Sequence, residues 1–156
     1  MLTEREHQQL LNKAIDCIDS GRSFEEIQQA IVDLLHSEVN HYNWVGFYWG
    51  NEERRVLTLG PFAGAPTEHT EIPYGVGVCG SVAESNTTLN VVDVSALENY
   101  LACSIETKSE LVVPIILNNS FVGQIDIDSH SPSAFNLRDE RLIQGIARRL
   151  AELMPN

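Results

Sequence analysis

Two thiols and three carboxylates are the side chains of this sequence best placed to do chemistry. Cys79 lies inside Gly75-Val76-Gly77-Val78-Cys79-Gly80, and Cys103 follows the turn-like run Ser95-Ala96-Leu97-Glu98-Asn99-Tyr100. A glycine-flanked thiol at the mouth of a short helix, continued here by Val82-Ala83-Glu84-Ser85, feels the positive end of the helix dipole. That setting favours thiolate over thiol. The chain otherwise reads as cytosolic, so a thiol pair points to catalysis or redox sensing rather than to a structural disulfide. The third cysteine, Cys17, falls on the apolar stripe Leu10, Ala14, Cys17, Ile18 of a helix over residues 3–19 and is expected in the core.

The carboxylates come from the last hairpin, Glu110 to Leu117 and Phe121 to Asp128 around Asn118-Asn119-Ser120. Alternation puts Phe121, Gly123, Ile125 and Ile127 on one face and Val122, Gln124, Asp126 and Asp128 on the other. A three-residue turn pairs Leu117 with Phe121, hence Leu111 with Ile127 and Glu110 with Asp128. That register makes one face wholly apolar, and burial selects it. Glu110, Asp126 and Asp128 then share the opposite face with Val112, Pro114 and Val122. One reading is a solvated face. The other is a pocket for a small cationic ligand such as the ammonium of an amino acid, with crowded carboxylates raising one another's pKa until one serves as a general acid.

The positioning elements follow from periodicity. After the first helix, Gly21 breaks the pattern, and Ser23-Phe24-Glu25-Glu26 reads as a capping box opening a second helix to about His36. The period then becomes two: Tyr42 to Trp49 and Arg55 to Leu59 form a hairpin. A loop covers Gly60 to Pro66, short strands are expected at Thr70 to Ile72 and Thr88 to Val92, and an irregular stretch runs to Thr107. A helix over Leu137 to Leu153 closes the chain. Helices at both ends with hairpins between them predict an α+β fold, a largely antiparallel sheet packed by helices. Trp44, Gly46 and Tyr48 share a strand face, either as core or as an apolar wall for a small ligand with Gly46 leaving room.

Several classes are disfavoured. Ten basic against twenty-two acidic residues give a formal charge of −12, which repels nucleic acid and anionic membrane surfaces. No window approaches the ~20 apolar residues of a membrane span, so a cytoplasmic protein is expected. The 156 residues suffice for one domain without disulfides. Gly75 to Gly80 matches G-x-G-x-x-G, but Pro73 interrupts the strand that a dinucleotide site needs and the following helix is too short for a crossover. Neither C-x-x-C nor H-x-x-x-H spacing occurs, and His7, His36, His41, His69 and His130 are scattered, so no resident metal is expected.

Six segments occur together and in order: Trp44-Val45-Gly46-Phe47-Tyr48, Leu59 to Gly64, Ile72-Pro73-Tyr74 running on to Gly80, Ala102-Cys103, Ser109 to Pro114, and Asp126-Ile127-Asp128-Ser129. In this the chain resembles the free methionine-(R)-sulfoxide reductases, single GAF-domain enzymes. The resemblance implies a six-stranded antiparallel sheet flanked by helices, with 1–156 as one GAF domain and 1–38 as helices packing on or extending it. It also implies a homodimer and a pocket closed by the Cys79 and Cys103 loops. Cys103 would attack the sulfoxide sulfur and Cys79 would resolve the sulfenic acid as a disulfide. Glu110, Asp126 and Asp128 would hold the substrate and help protonate its oxygen, beside Trp44 and Tyr48. No cofactor is bound, and thioredoxin, at about −270 mV, would reduce the disulfide.

The chain departs from that pattern at two places. Thr67-Glu68-His69-Thr70 stands where a third cysteine is usual, and Tyr100 and Ser104 replace a common histidine and aspartate around Cys103. Helix-dipole reasoning makes Cys79 the stronger thiolate, whereas the resemblance assigns the attack to Cys103. The competing functional classes are a GAF sensor of a small metabolite and a thiol redox switch.

Overall fold

The computed structural model describes residues 1–98, 100 and 105–155. Two helices, α1 (Glu4–Ile18) and α2 (Phe24–Glu38), precede the hairpin of β1 (Trp44–Asn51) and β2 (Val56–Ala63). The edge strand β3 (Glu71–Pro73), the short helix α3 (Gly77–Ser85) and β4 (Leu89–Val91) follow. A second hairpin, β5 (Ser109–Leu117) with β6 (Ser120–Ser129), leads into α4 (Leu137–Leu153). These strands form one six-stranded antiparallel sheet in the order β3-β2-β1-β6-β5-β4, as expected of the fold.

Each face of the sheet has its own apolar layer. Leu10 and Ala14 of α1, Ile31 and Leu35 of α2, and Ile143, Ile146 and Leu150 of α4 cover Val45, Phe47, Leu111, Val113, Ile125 and Ile127. The other face is covered by α3, whose Val78, Cys79 and Val82 pack with Trp44, Tyr48, Leu57 and Val112. Alternation along β1, β5 and β6 divides the two layers, so Glu110, Gln124, Asp126 and Asp128 emerge beneath α3. Cys17, expected in the core, sits half-buried at the rim of the first layer.

Helix starts follow side-chain chemistry. Thr3 and Glu6 form a reciprocal capping box on α1, and Asn136 and Asp139 form one on α4. At α2 only half of the expected box is made: Ser23 accepts from the Glu26 amide.

Two strand expectations are corrected. β2 continues through Gly60-Pro61-Phe62-Ala63, which composition marks as a loop. Its register against β1 slips between Gly46 and Tyr48, and an irregularity of this kind tolerates a proline that cannot donate to the ladder. The β5–β6 turn has two residues rather than three: Asn118 and Asn119 both take positive φ (52° and 64°) and Leu117 pairs with Ser120. A register shift at Ile115/Ile116 then leaves Val122 as the extra residue and restores the expected pairs Leu111–Ile127 and Glu110–Asp128. The bulge also exchanges two faces. Val122 packs with the helix-rich layer and Phe121 with the α3 layer, the reverse of simple alternation.

Candidate active site

Register builds the site row by row beneath α3. Trp44 lies opposite Asp128, which lies opposite Glu110; Gly46 faces Asp126, which faces Val112; Tyr48 faces Gln124, which faces Pro114. The sequence-predicted trio is therefore brought together, and it is not solvated: Asp126 is 0 % exposed, and Glu110 and Asp128 are buried beside it. Burying several carboxylates works against stability unless each is paired or neutralised, so such a cluster is a candidate functional site.

The helix above supplies the thiol. A β-carbon on Gly80 would stand 2.6 Å from the Pro73 carbonyl oxygen, and the Gly75 amide donates to the Gly80 carbonyl at 2.8 Å. This close return of the chain seats the first turn of α3 on the sheet and turns Cys79 inward. The Cys79 thiol donates to Glu110 Oε2 at 3.9 Å, and Cys79, Glu110 and Asp126 each bring a donor atom within 4.8 Å of the others. Neither Asp126 oxygen receives a hydrogen bond of good geometry. Burial pushes the Asp126 carboxyl above its ordinary range, and the nearby Glu110 and Cys79 groups only partly offset that.

Trp44 and Tyr48 wall the site. The Trp44 indole folds over Gly46, where a β-carbon would stand 2.3 Å from the ring, so the glycine makes room for the tryptophan itself. Phe62 stacks on the indole at 5.6 Å, and the indole N–H donates to the Ala65 carbonyl at 3.0 Å. The Tyr48 hydroxyl donates to the His69 carbonyl at 2.8 Å. Beside Trp44 and Asp128 opens a cavity of about 440 Å³, rimmed by His36, Asn43, Thr107 and His130. Spacing gives no signal for these rim residues, because separate segments meet only on folding. Cys103, with Leu101, Ala102 and Ser104 around it, lies outside the described residues.

The GAF domain family model matches residues 23–153. Protein YtsP of Bacillus subtilis is 33% identical over 147 residues, covering 94% of this chain and 90% of that protein. The free methionine-R-sulfoxide reductase of Escherichia coli is 35% identical over 144 residues, covering 92% and 84%. Among solved structures, the free methionine-R-sulfoxide reductase from Neisseria meningitidis, in complex with its substrate, superposes with a TM-score of 0.91 at 27% identity, covering 97% of this chain and 90% of that one. With Cys79, Glu110, Asp126 and Asp128 gathered beneath α3 and relatives of this similarity over most of their length, the chain belongs to the GAF-domain family and, within it, to the free methionine-(R)-sulfoxide reductases.

Proposed function

We propose that this protein reduces free L-methionine-(R)-sulfoxide to methionine by thiol chemistry, as one GAF unit into which α1 and α2 are packed. The observation that carries the reading is the buried contact of a thiol with two carboxyl groups, Cys79 with Glu110 and Asp126, inside this family's fold. A carboxyl held protonated by burial can give its proton to the sulfoxide oxygen, while neighbouring carboxylates take the substrate ammonium. Asp128, beside the cavity, is the group best placed for the ammonium. Trp44 and Tyr48 offer the apolar side chain a wall.

Cys103 attacks the sulfoxide sulfur as thiolate while a carboxyl protonates the oxygen; the hydroxyl passes from the methionine sulfur to the Cys103 sulfur, the broken S–O bond leaves its electron pair on methionine, and methionine departs from a Cys103 sulfenic acid. The Cys79 thiol then displaces hydroxide from that sulfur, giving a Cys79–Cys103 disulfide and water. Two thiols are oxidised as one sulfoxide is reduced. The assignment of Cys79 as the resolving partner is supported by its geometry: it is buried and donates its proton to Glu110. An external dithiol, thioredoxin by class, returns both thiols. A cytoplasmic homodimer without a bound cofactor completes the proposal.

The test is incubation of the protein with each epimer of free methionine sulfoxide and dithiothreitol, with methionine as readout. Turnover of the (R)-epimer alone is expected. An N-acetylated, C-amidated substrate loses the ammonium and should react at least tenfold more slowly. Tight binding of another metabolite with no turnover of either epimer would move the protein to the sensor class.

A further inference from the structure

We infer that Cys79, Glu110 and Asp126 form an exchangeable site for a zinc-like divalent cation, and that its occupancy blocks the proposed reductase. The inference rests on that reading for its consequence, but not for the site itself. Sequence spacing argues against a resident metal, since no two ligands recur on one turn or knuckle. The fold assembles the three donors from α3, β5 and β6, which spacing cannot show.

Two independent observations carry it. The first is the donor set: one sulfur and two carboxylate oxygens, all buried, lie within 4.8 Å of one another. In a tetrahedral zinc site, arms of about 2.3 Å to sulfur and 2.0–2.2 Å to oxygen place these donors about 3.5 Å apart. Cys79 Sγ and Glu110 Oε2 already stand at 3.9 Å, so small side-chain movements would close the site. The second is Asp126, which is fully buried with both oxygens lacking a well-formed protein hydrogen bond and faces the same cluster. A cation would satisfy it where Glu110 and Cys79 do so only in part.

The chemistry selects the cation class. A thiolate donor disfavours calcium and magnesium, which need more oxygen ligands than this cluster provides, and favours zinc or cobalt(II). Binding releases the Cys79 proton and any carboxyl proton to solvent and leaves one coordination position open. Since the same groups are proposed to protonate and resolve the sulfoxide, cation and substrate compete.

The test uses the full chain, reduced with a phosphine rather than a chelating dithiol, titrated with Co²⁺ and then Zn²⁺. A near-ultraviolet thiolate-to-cobalt charge-transfer band saturating at one ion per chain is expected, displaced by Zn²⁺. It should persist in Cys17→Ser and vanish in Cys79→Ser. Asp126→Asn should weaken cobalt affinity at least ~tenfold. Zn²⁺ should raise the melting temperature of the wild type but not of Cys79→Ser, and should inhibit turnover competitively and reversibly with a chelator. Saturation without a thiolate band, or a band indifferent to Cys79, overturns the inference. Because the band is read without substrate, a protein that binds cobalt through Cys79 yet turns over no sulfoxide would refute the reductase reading and leave the metal site standing.

Discussion

Asp139 and Asp126 are sealed from solvent almost equally, at 1 % and 0 % exposure, and are treated in opposite ways by the structure. Asp139 accepts hydrogen bonds from the Tyr42 hydroxyl and the Asn136 amide and is bridged by His7 Nε2 at 3.1 Å. His7 Nδ1 faces the Thr3 carbonyl at 2.9 Å, so the cluster ties the start of α1 to the start of α4 and to the chain entering β1. Asp126 has no comparable set of donors. A buried carboxylate surrounded by donors is a structural fastening, whereas one left among a thiol and another carboxyl fits the proposed role of meeting a reaction partner.

The largest expected effect separates the two directly. Asp139→Ala leaves His7 and Tyr42 buried without their common acceptor, and breaking such a pair costs about 3–5 kcal/mol. For a chain of this size that lowers the melting temperature by roughly 6–20 °C. Turnover per folded molecule, measured well below the transition, should be retained. Collapse of catalysis with unchanged stability would exchange the roles given to the two aspartates.

Glu110→Gln and Asp126→Asn should show the reverse pattern. Loss of a positioned proton donor or its electrostatic partner lowers turnover by on the order of a hundredfold or more. Stability should hold or rise, because an uncharged amide has less to lose from burial than a carboxylate. Initial rates with free (R)-sulfoxide, set beside urea melts of the same preparations, decide it.

Asp126→Asn also makes a smaller prediction about pH, read in the presence of chelator. The folded-state pKa of Asp126 is raised by burial above its ordinary 3.8. Its contribution to stability is therefore fully present below that ordinary value and is lost as pH rises through the folded value. Across that range the unfolded chain releases a proton that the folded chain keeps. The wild type should lose stability relative to Asp126→Asn as pH increases from the carboxylate range toward neutrality. Parallel stability curves would mean that Asp126 is as easily ionised in the fold as in solution.

The same contrast explains what the sequence could and could not disclose. Asp126 and Glu110 were legible because strand alternation is local: once Ile125 and Ile127 must face a core, Asp126 must face away from it. The bulge at Val122 was not, since the two-residue Asn118-Asn119 turn and the extra residue cancel and leave the interior pairs where a three-residue turn would put them. The Asp139 cluster was hidden for a different reason. Its members come from opposite ends of the chain, and His7 directly follows the charged run Glu4-Arg5-Glu6. The Thr3–Glu6 capping box was present as a signal for where α1 starts, but no local pattern reveals which helix end His7 will meet.

Cysteines allow the smallest effect to be argued in the same terms. Cys17 sits half-buried at the rim of the helix-rich layer, on the opposite side of the sheet from Cys79. It belongs to no cluster of three or more thiol, imidazole or carboxyl donors among the described residues. Cys17→Ser should therefore shift stability by no more than about 0.5–1 kcal/mol and leave turnover unchanged with dithiothreitol and with thioredoxin alike. The thioredoxin arm is the discriminating one. This chain has Thr67-Glu68-His69-Thr70 where relatives of this family usually place a further cysteine, and Cys17 is the one remaining thiol that could substitute for it. If Cys17→Ser supports turnover with dithiothreitol but stalls with thioredoxin, the disulfide must travel across the sheet, and the separation of a fastening face from a reacting face no longer holds. Equal rates with both reductants would exclude Cys17 from the redox chemistry and leave the separation of the two faces standing.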